Sequence, residues 1–169
     1  MHSGIKKTKR LTSDALLLAA AFILSWIELM IPVPVPIPGI KLGLANLAIL
    51  FTLYYCGAPD ALFVLCGRLA LNALLFGNAS SLIFSAAGGI SAYIVMCIMK
   101  TVLKDRVVIV SIAGGVFHNM GQLAAAGIVL SVSVLAYIPY LVLGGIAAGT
   151  LNGTAADRLL KCPAFRKYK

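Results

Sequence analysis

The chain has 169 residues, 61% of them hydrophobic and only 11% charged, and its mean hydropathy is +1.01. A soluble domain of this length needs far more charge to cover its surface, so the composition excludes an ordinary soluble protein and favours one embedded in a membrane. The net charge of +9 would direct a soluble protein to nucleic acid, but here the bases stand in clumps between apolar runs, where they report orientation across a bilayer.

The amino terminus carries Lys6, Lys7, Lys9 and Arg10 ahead of the apolar run ALLLAAAFIL. That order resembles a signal peptide, yet Trp26, Glu28 and a proline segment follow instead of a small-residue cleavage site, so an uncleaved first span over about residues 13 to 31 is expected. Asp14, after Thr12 and Ser13, reads as its helix cap. The segment IPVPVPIPGIKLGLAN follows, with Pro32, Pro34, Pro36 and Pro38 alternating with apolar residues before Gly39 and Lys41. Prolines remove amide donors that non-helical backbone beside lipid cannot easily satisfy, and they hold the strip extended. A stiff apolar gate over residues 32–40 is the expectation.

Five further apolar segments are drawn over about residues 43 to 57, 60 to 77, 80 to 100, 107 to 130 and 134 to 160. The second and third are short for a full crossing, as expected of tilted or partly buried helices. Small-residue seams recur at Gly88-Gly89, Gly114-Gly115 and Gly144-Gly145, and Gly145, Gly149 and Gly153 share one helix face that a neighbouring backbone can approach. The predicted fold is therefore all-α, a six-helix transmembrane domain over residues 13–160 between basic tails at 1–12 and 161–169. With six spans, the amino-terminal bases, Lys100, Lys104 and Arg106, and Arg158, Lys161, Arg166, Lys167 and Lys169 all fall on one side. The positive-inside tendency makes that side, with both termini, cytoplasmic, and a multi-pass protein of the cell membrane is expected.

Ionisable and amide side chains inside spans are expensive unless they face protein, water or ligand. The candidates for binding are Glu28, Lys41, Asn46, Arg68, Asn72, His118, Asn119 and Gln122, with Asn78 at a span end. Glu28 lies about 21 Å along the first helix from Asp14, Arg68 and His118 fall near mid-depth, and Lys41 and Asn46 are placed at the outer mouth. Arg68 with Asn72 and His118 with Gln122 are each four apart, so two polar faces could enclose a small ligand with an anionic or carbonyl group. The competing expectation is that Arg68 pairs with Glu28 and the amides bond across helices.

Several chemistries are missing from the pattern. No GxxxxGK[ST] run is present, so ATP would have to be bound by other chains, and no HExxH or GxSxG appears. Asp14, Glu28, Asp60, Asp105 and Asp157 stand far apart, whereas magnesium-dependent diphosphate chemistry needs neighbouring carboxylates. Cys56, Cys66, Cys97 and Cys162 show no metal-type spacing and read as small apolar side chains. Neither an enzyme, a cofactor nor a metal site is expected in this chain.

The run PVPVPIPGIKLGLANLAIL after a first apolar helix resembles the bacterial Gx transporter, or heptaprenyl diphosphate synthase component I, family, which is similar in turn to the S components of energy-coupling factor (ECF) vitamin transporters. The S-component resemblance implies a six-helix protein that captures a vitamin-like or quinone-precursor molecule from outside, with the proline loop as gate. It implies partners too: an ECF transmembrane coupling subunit and two ABC-type ATPases, with docking through Ala15 and Ala19 on the first helix. The synthase name implies instead a non-catalytic accessory subunit in prenyl diphosphate or menaquinone-precursor synthesis. A stand-alone proton-coupled carrier using Glu28 and His118 is the third expectation.

Overall fold

A computed structural model of the chain describes residues 2–31, 43–76, 79–130 and 135–168. Among these residues there are six α-helices and no strand: α1 (His2–Met30), α2 (Asn46–Tyr55), α3 (Ala58–Phe76), α4 (Ala79–Leu103), α5 (Val107–Leu130) and α6 (Ile138–Lys161). Short 3-10 turns at Leu135–Tyr137 and Pro163–Tyr168 flank α6. Pro32, Pro34, Pro36, Pro38, Gly39, Lys41 and Asn78 lie outside the described residues.

Each long helix sorts its side chains by face. On α4, Phe84, Ser85, Gly88, Gly89, Ala92 and Met96 are buried, while Ile83, Ile90, Ile94 and Ile98 form an exposed stripe at helical spacing. Leu16, Ile23 and Trp26 on α1, Phe63 and Leu74 on α3, and Phe117 and Ile128 on α5 are exposed as well. So much unpartnered apolar surface is unsuited to water, and its natural solvent is lipid. Four helices are long and apolar enough to cross a bilayer, over Arg10–Glu28, Ala58–Leu75, Ala79–Leu103 and Val107–Val129. The protein is membrane-embedded.

The other two helices depart from the expected full apolar spans for separate reasons. α2 has 10 residues, about 15 Å of helix, enough for half a crossing. α6 has 24 residues, about 36 Å, but its composition is diluted by glycine, Thr150, Asn152, Thr154, Asp157 and Arg158. Its buried face, Leu141, Gly145, Ala148, Gly149, Asn152, Gly153 and Ala156, packs on α5 so closely that backbones nearly touch. A Cβ on Gly145 would lie 2.8 Å from the Gly115 carbonyl, and one on Gly149 would lie 2.6 Å from the Ile112 Cα. Only glycine permits that approach, which is the small-residue seam the sequence announces.

One end of the bundle collects the basic residues. Arg10 reaches Asp60 at the start of α3, Lys100 donates to the Leu53 carbonyl at 2.6 Å, and Tyr54 donates to the Lys104 carbonyl at 2.9 Å. The Phe165 ring sits against Phe51 and Tyr55 at that end, 5.2 and 5.8 Å between centroids. The beginning of α1, the α2–α3 turn, the α4–α5 turn and the carboxyl-terminal turn therefore share one face. α1 extends from His2, so Asp14 is not a cap; it lies inside the helix with its side chain buried, and Asp14, Ala21, Ser25 and Glu28 fall on one inward face.

Candidate functional site

α2 begins inside the bundle. Gly43 enters at φ +83°, a backbone conformation natural to glycine, and a Cβ there would meet Asn46 at 3.0 Å and His118 at 3.1 Å. Backbone that is not helical at membrane depth must find its hydrogen bonds in protein. It finds them in side chains: Glu28 Oε1 accepts from the Gly43 and Leu44 amides, the second at 3.2 Å, and Asn152 Nδ2 donates to the Gly43 carbonyl at 3.0 Å. Glu28 thus caps the approach to α2. Asn46 is buried within the bundle, beside Gly43.

Around this broken helix the structure gathers most of the residues singled out in the sequence. Arg68 on α3 is 3% exposed, and its Nη1 donates to Ser25 Oγ at 3.4 Å, one turn from Glu28 on α1. The glycine pair on α4 makes the room. A Cβ on Gly89 would lie 3.2 Å from Arg68 Nη2, and one on Gly88 would lie 2.9 Å from His118 Cε1 and 2.7 Å from Gln122 Cγ. Arg68 and the His118–Gln122 face of α5 consequently flank the same point of α4. Asn72 is one turn beyond Arg68 and half-buried.

Asn119 does not join this group. It sits next to His118 but about 100° around α5, and its Nδ2 donates to the Leu141 carbonyl on α6 at 2.7 Å. Ala15 and Ala19 are exposed on the outer face of α1, away from the polar interior. Asn152, Ser25 and Gly43 are the residues that sequence reasoning passed over. Asn152 carried a usable signal, an amide between Leu151 and Gly153 within the last predicted span; Ser25 did not, since serine is common in membrane helices.

The interior is polar yet incompletely bonded. Arg68 Nε and Nη2, both polar side-chain atoms of Asn46, Asn72 Oδ1 and Asn119 Oδ1 are buried and have no hydrogen-bond partner among the described residues. Each such group costs about 1 to 3 kcal/mol, and more if charged. On Arg68 the two free groups form one edge of the guanidinium, two parallel N–H donors in the fork that matches a carboxylate or phosphate. The amino-terminal end of α2, with its positive dipole, opens into the same interior. What the arrangement can do is hold a small anion or polar carbonyl compound.

Residues 17–159 match the family described as heptaprenyl diphosphate synthase component I. The chain belongs to that family. The match runs from the first apolar helix almost to the end of α6 and so includes the whole polar interior. Neither the curated proteins nor the solved structures contain a match to the chain. As a member of the component I family the chain is non-catalytic, in keeping with a sequence whose five acids include no neighbouring pair.

Proposed function

We propose that this protein is the ligand-binding membrane subunit of a multi-chain system, taking up a small molecule with a carboxylate or phosphate group into the interior around Arg68. One observation carries the reading: the Nε/Nη2 edge of Arg68 is buried at mid-bundle without a partner among the described residues. A charged fork is expensive in a membrane interior and is retained where a ligand completes it. Asn46 and Asn72 would add amide contacts, His118 and Gln122 would form the facing wall, and residues 32–40 with Lys41 would gate entry from outside. Both termini would be cytoplasmic and six segments would cross the cell membrane.

In this reading the molecule, vitamin-like or a quinone or isoprenoid precursor, is handed on as an S component does. An ECF coupling subunit would dock at Ala15 and Ala19, and two ABC-type ATPases would supply ATP hydrolysis. A second reading has its own support in the family description: a non-catalytic subunit that presents an isoprenoid diphosphate or its precursor to a soluble synthase component. The same fork suits a diphosphate. Mass spectrometry of small molecules retained on gently purified protein tests the shared core. An anionic compound held by the wild type and lost from Arg68→Gln is the expected result; identical retained compounds in both would sink the role of Arg68. Loss of cellular uptake on deleting a coupling ATPase would favour the importer, and a changed prenyl chain length would favour the accessory subunit.

A further inference from the structure

A second buried polar cluster lies at the basic end of the bundle, away from Arg68. Asp14 from α1, Cys56 in the turn after α2 and Asp60 in the first turn of α3 each place a potential ligand atom within 4.8 Å of the others. Both carboxylates are buried and Cys56 is half-buried. Arg10 covers the cluster from the solvent side, its Nε 2.7 Å and Nη2 2.5 Å from the same Asp60 oxygen, Oδ1. Asp14 is 7% exposed, and its Oδ1 has no hydrogen-bond partner among the described residues.

In the metal-free cluster Cys56 is a thiol, and the two carboxyl groups face Arg10. A divalent cation that displaces the thiol proton would leave two carboxylates and a thiolate, balanced by the metal and Arg10. Buried like charges otherwise repel strongly, and among the described residues the Arg10 ion pair is made with Asp60, while Asp14 Oδ1 has no hydrogen-bond partner. We propose that Asp14, Cys56 and Asp60 form a binding site for a divalent transition metal of zinc type, which clasps α1 to the α2–α3 turn. The donor set selects the class. Magnesium and calcium take oxygen ligands, whereas mixed carboxylate and thiolate donors suit zinc and cobalt. Tetrahedral zinc sites have ligand atoms about 3.4 to 3.7 Å apart, so side-chain rotation closing the cluster by roughly 1 Å completes the geometry. Arg10 then acts from outside the metal, orienting Asp60 through its other oxygen. A fourth position is left to water.

The sequence could not show this because the three residues are 42 and 4 positions apart and none has a motif partner. The test uses the full, tag-free chain in detergent, stripped with chelator and titrated with Co2+. One saturable site with thiolate-to-cobalt charge-transfer absorption is expected, lost in Cys56→Ser, retained in Cys66→Ser and displaced by Zn2+. Asp14→Asn should weaken cobalt binding by at least about tenfold while thermal unfolding of the metal-free protein stays where it is or rises. The proposal is overturned if no such absorption develops, if Cys56→Ser keeps it, or if Asp14→Asn binds cobalt as the wild type does. A pair of carboxyls sharing a proton would give the first of these results.

Discussion

Arg68 is where binding and stability separate. A buried guanidinium with one edge unbonded among the described residues destabilises the ligand-free fold, so Arg68→Met should raise the unfolding free energy of purified protein by about 1 to 3 kcal/mol while abolishing ligand retention. A lowered unfolding free energy in ligand-free protein would instead make Arg68 a structural strut. Cys56 offers a second check at this scale. Burial first, then the neighbouring Asp14 and Asp60 carboxylates, push its thiol up to about 11. A raised value means little thiolate at neutral pH and a rising fraction as pH climbs toward 11. Alkylation of Cys56 in metal-free protein, followed by peptide mass spectrometry, should therefore accelerate across pH 7 to 10 and lag behind the exposed Cys162 throughout.

Two elements owe their geometry to single side chains. The start of α2 depends on Gly43 at φ +83° and on the bonds from Glu28 and Asn152. Gly43→Ala should cost about 1 to 2 kcal/mol in left-handed backbone strain alone, with His118 and Asn46 crowded besides. Glu28→Gln keeps the shape but weakens a charge-assisted bond, and should cost about 1.5 to 3 kcal/mol, read by thermal unfolding. If Glu28→Gln left stability unchanged, the carboxylate would not be what holds the chain at mid-bundle. The α5–α6 seam is equally strict, because Gly149 lies against the backbone of Ser111 and Ile112, which cannot rotate away. Gly149→Leu should separate the two helices and lower folded yield far more than the same change at half-buried Gly144, where the nearest neighbour of an added Cβ would be 3.8 Å away.

At the scale of the molecule, the shared face of Arg10, Lys104 and Phe165 places the beginning of α1 and the end of the chain at one end of the bundle. Reporter fusions at the two termini should accordingly be active on the same side of the membrane; opposite sides would require an odd number of crossings. The six apolar segments were legible in the sequence because apolar runs near 20 residues and glycine spacing are local properties. Four of them are full apolar spans by length and composition. The limits of α2 were not legible, since a helix that starts inside the bundle has the same composition as one that starts at its surface.

The candidate site divides in the same way. Glu28, Asn46, Arg68, His118 and Gln122 could be named from sequence because polar groups are rare in lipid-spanning helices and each is conspicuous alone. Their partners could not: that Glu28 turns to the Gly43 amide, Arg68 to Ser25 and Asn119 to Leu141 depends on which helix faces which. Composition determined the membrane as solvent, the helical class and the end that carries the positive charge, since these are sums over residues. Only the tertiary structure decided that the Gly88-Gly89 pair opens space for Arg68 and His118, and that Asp14 meets Cys56 and Asp60, because such contacts join residues far apart in the chain and are fixed by helix packing.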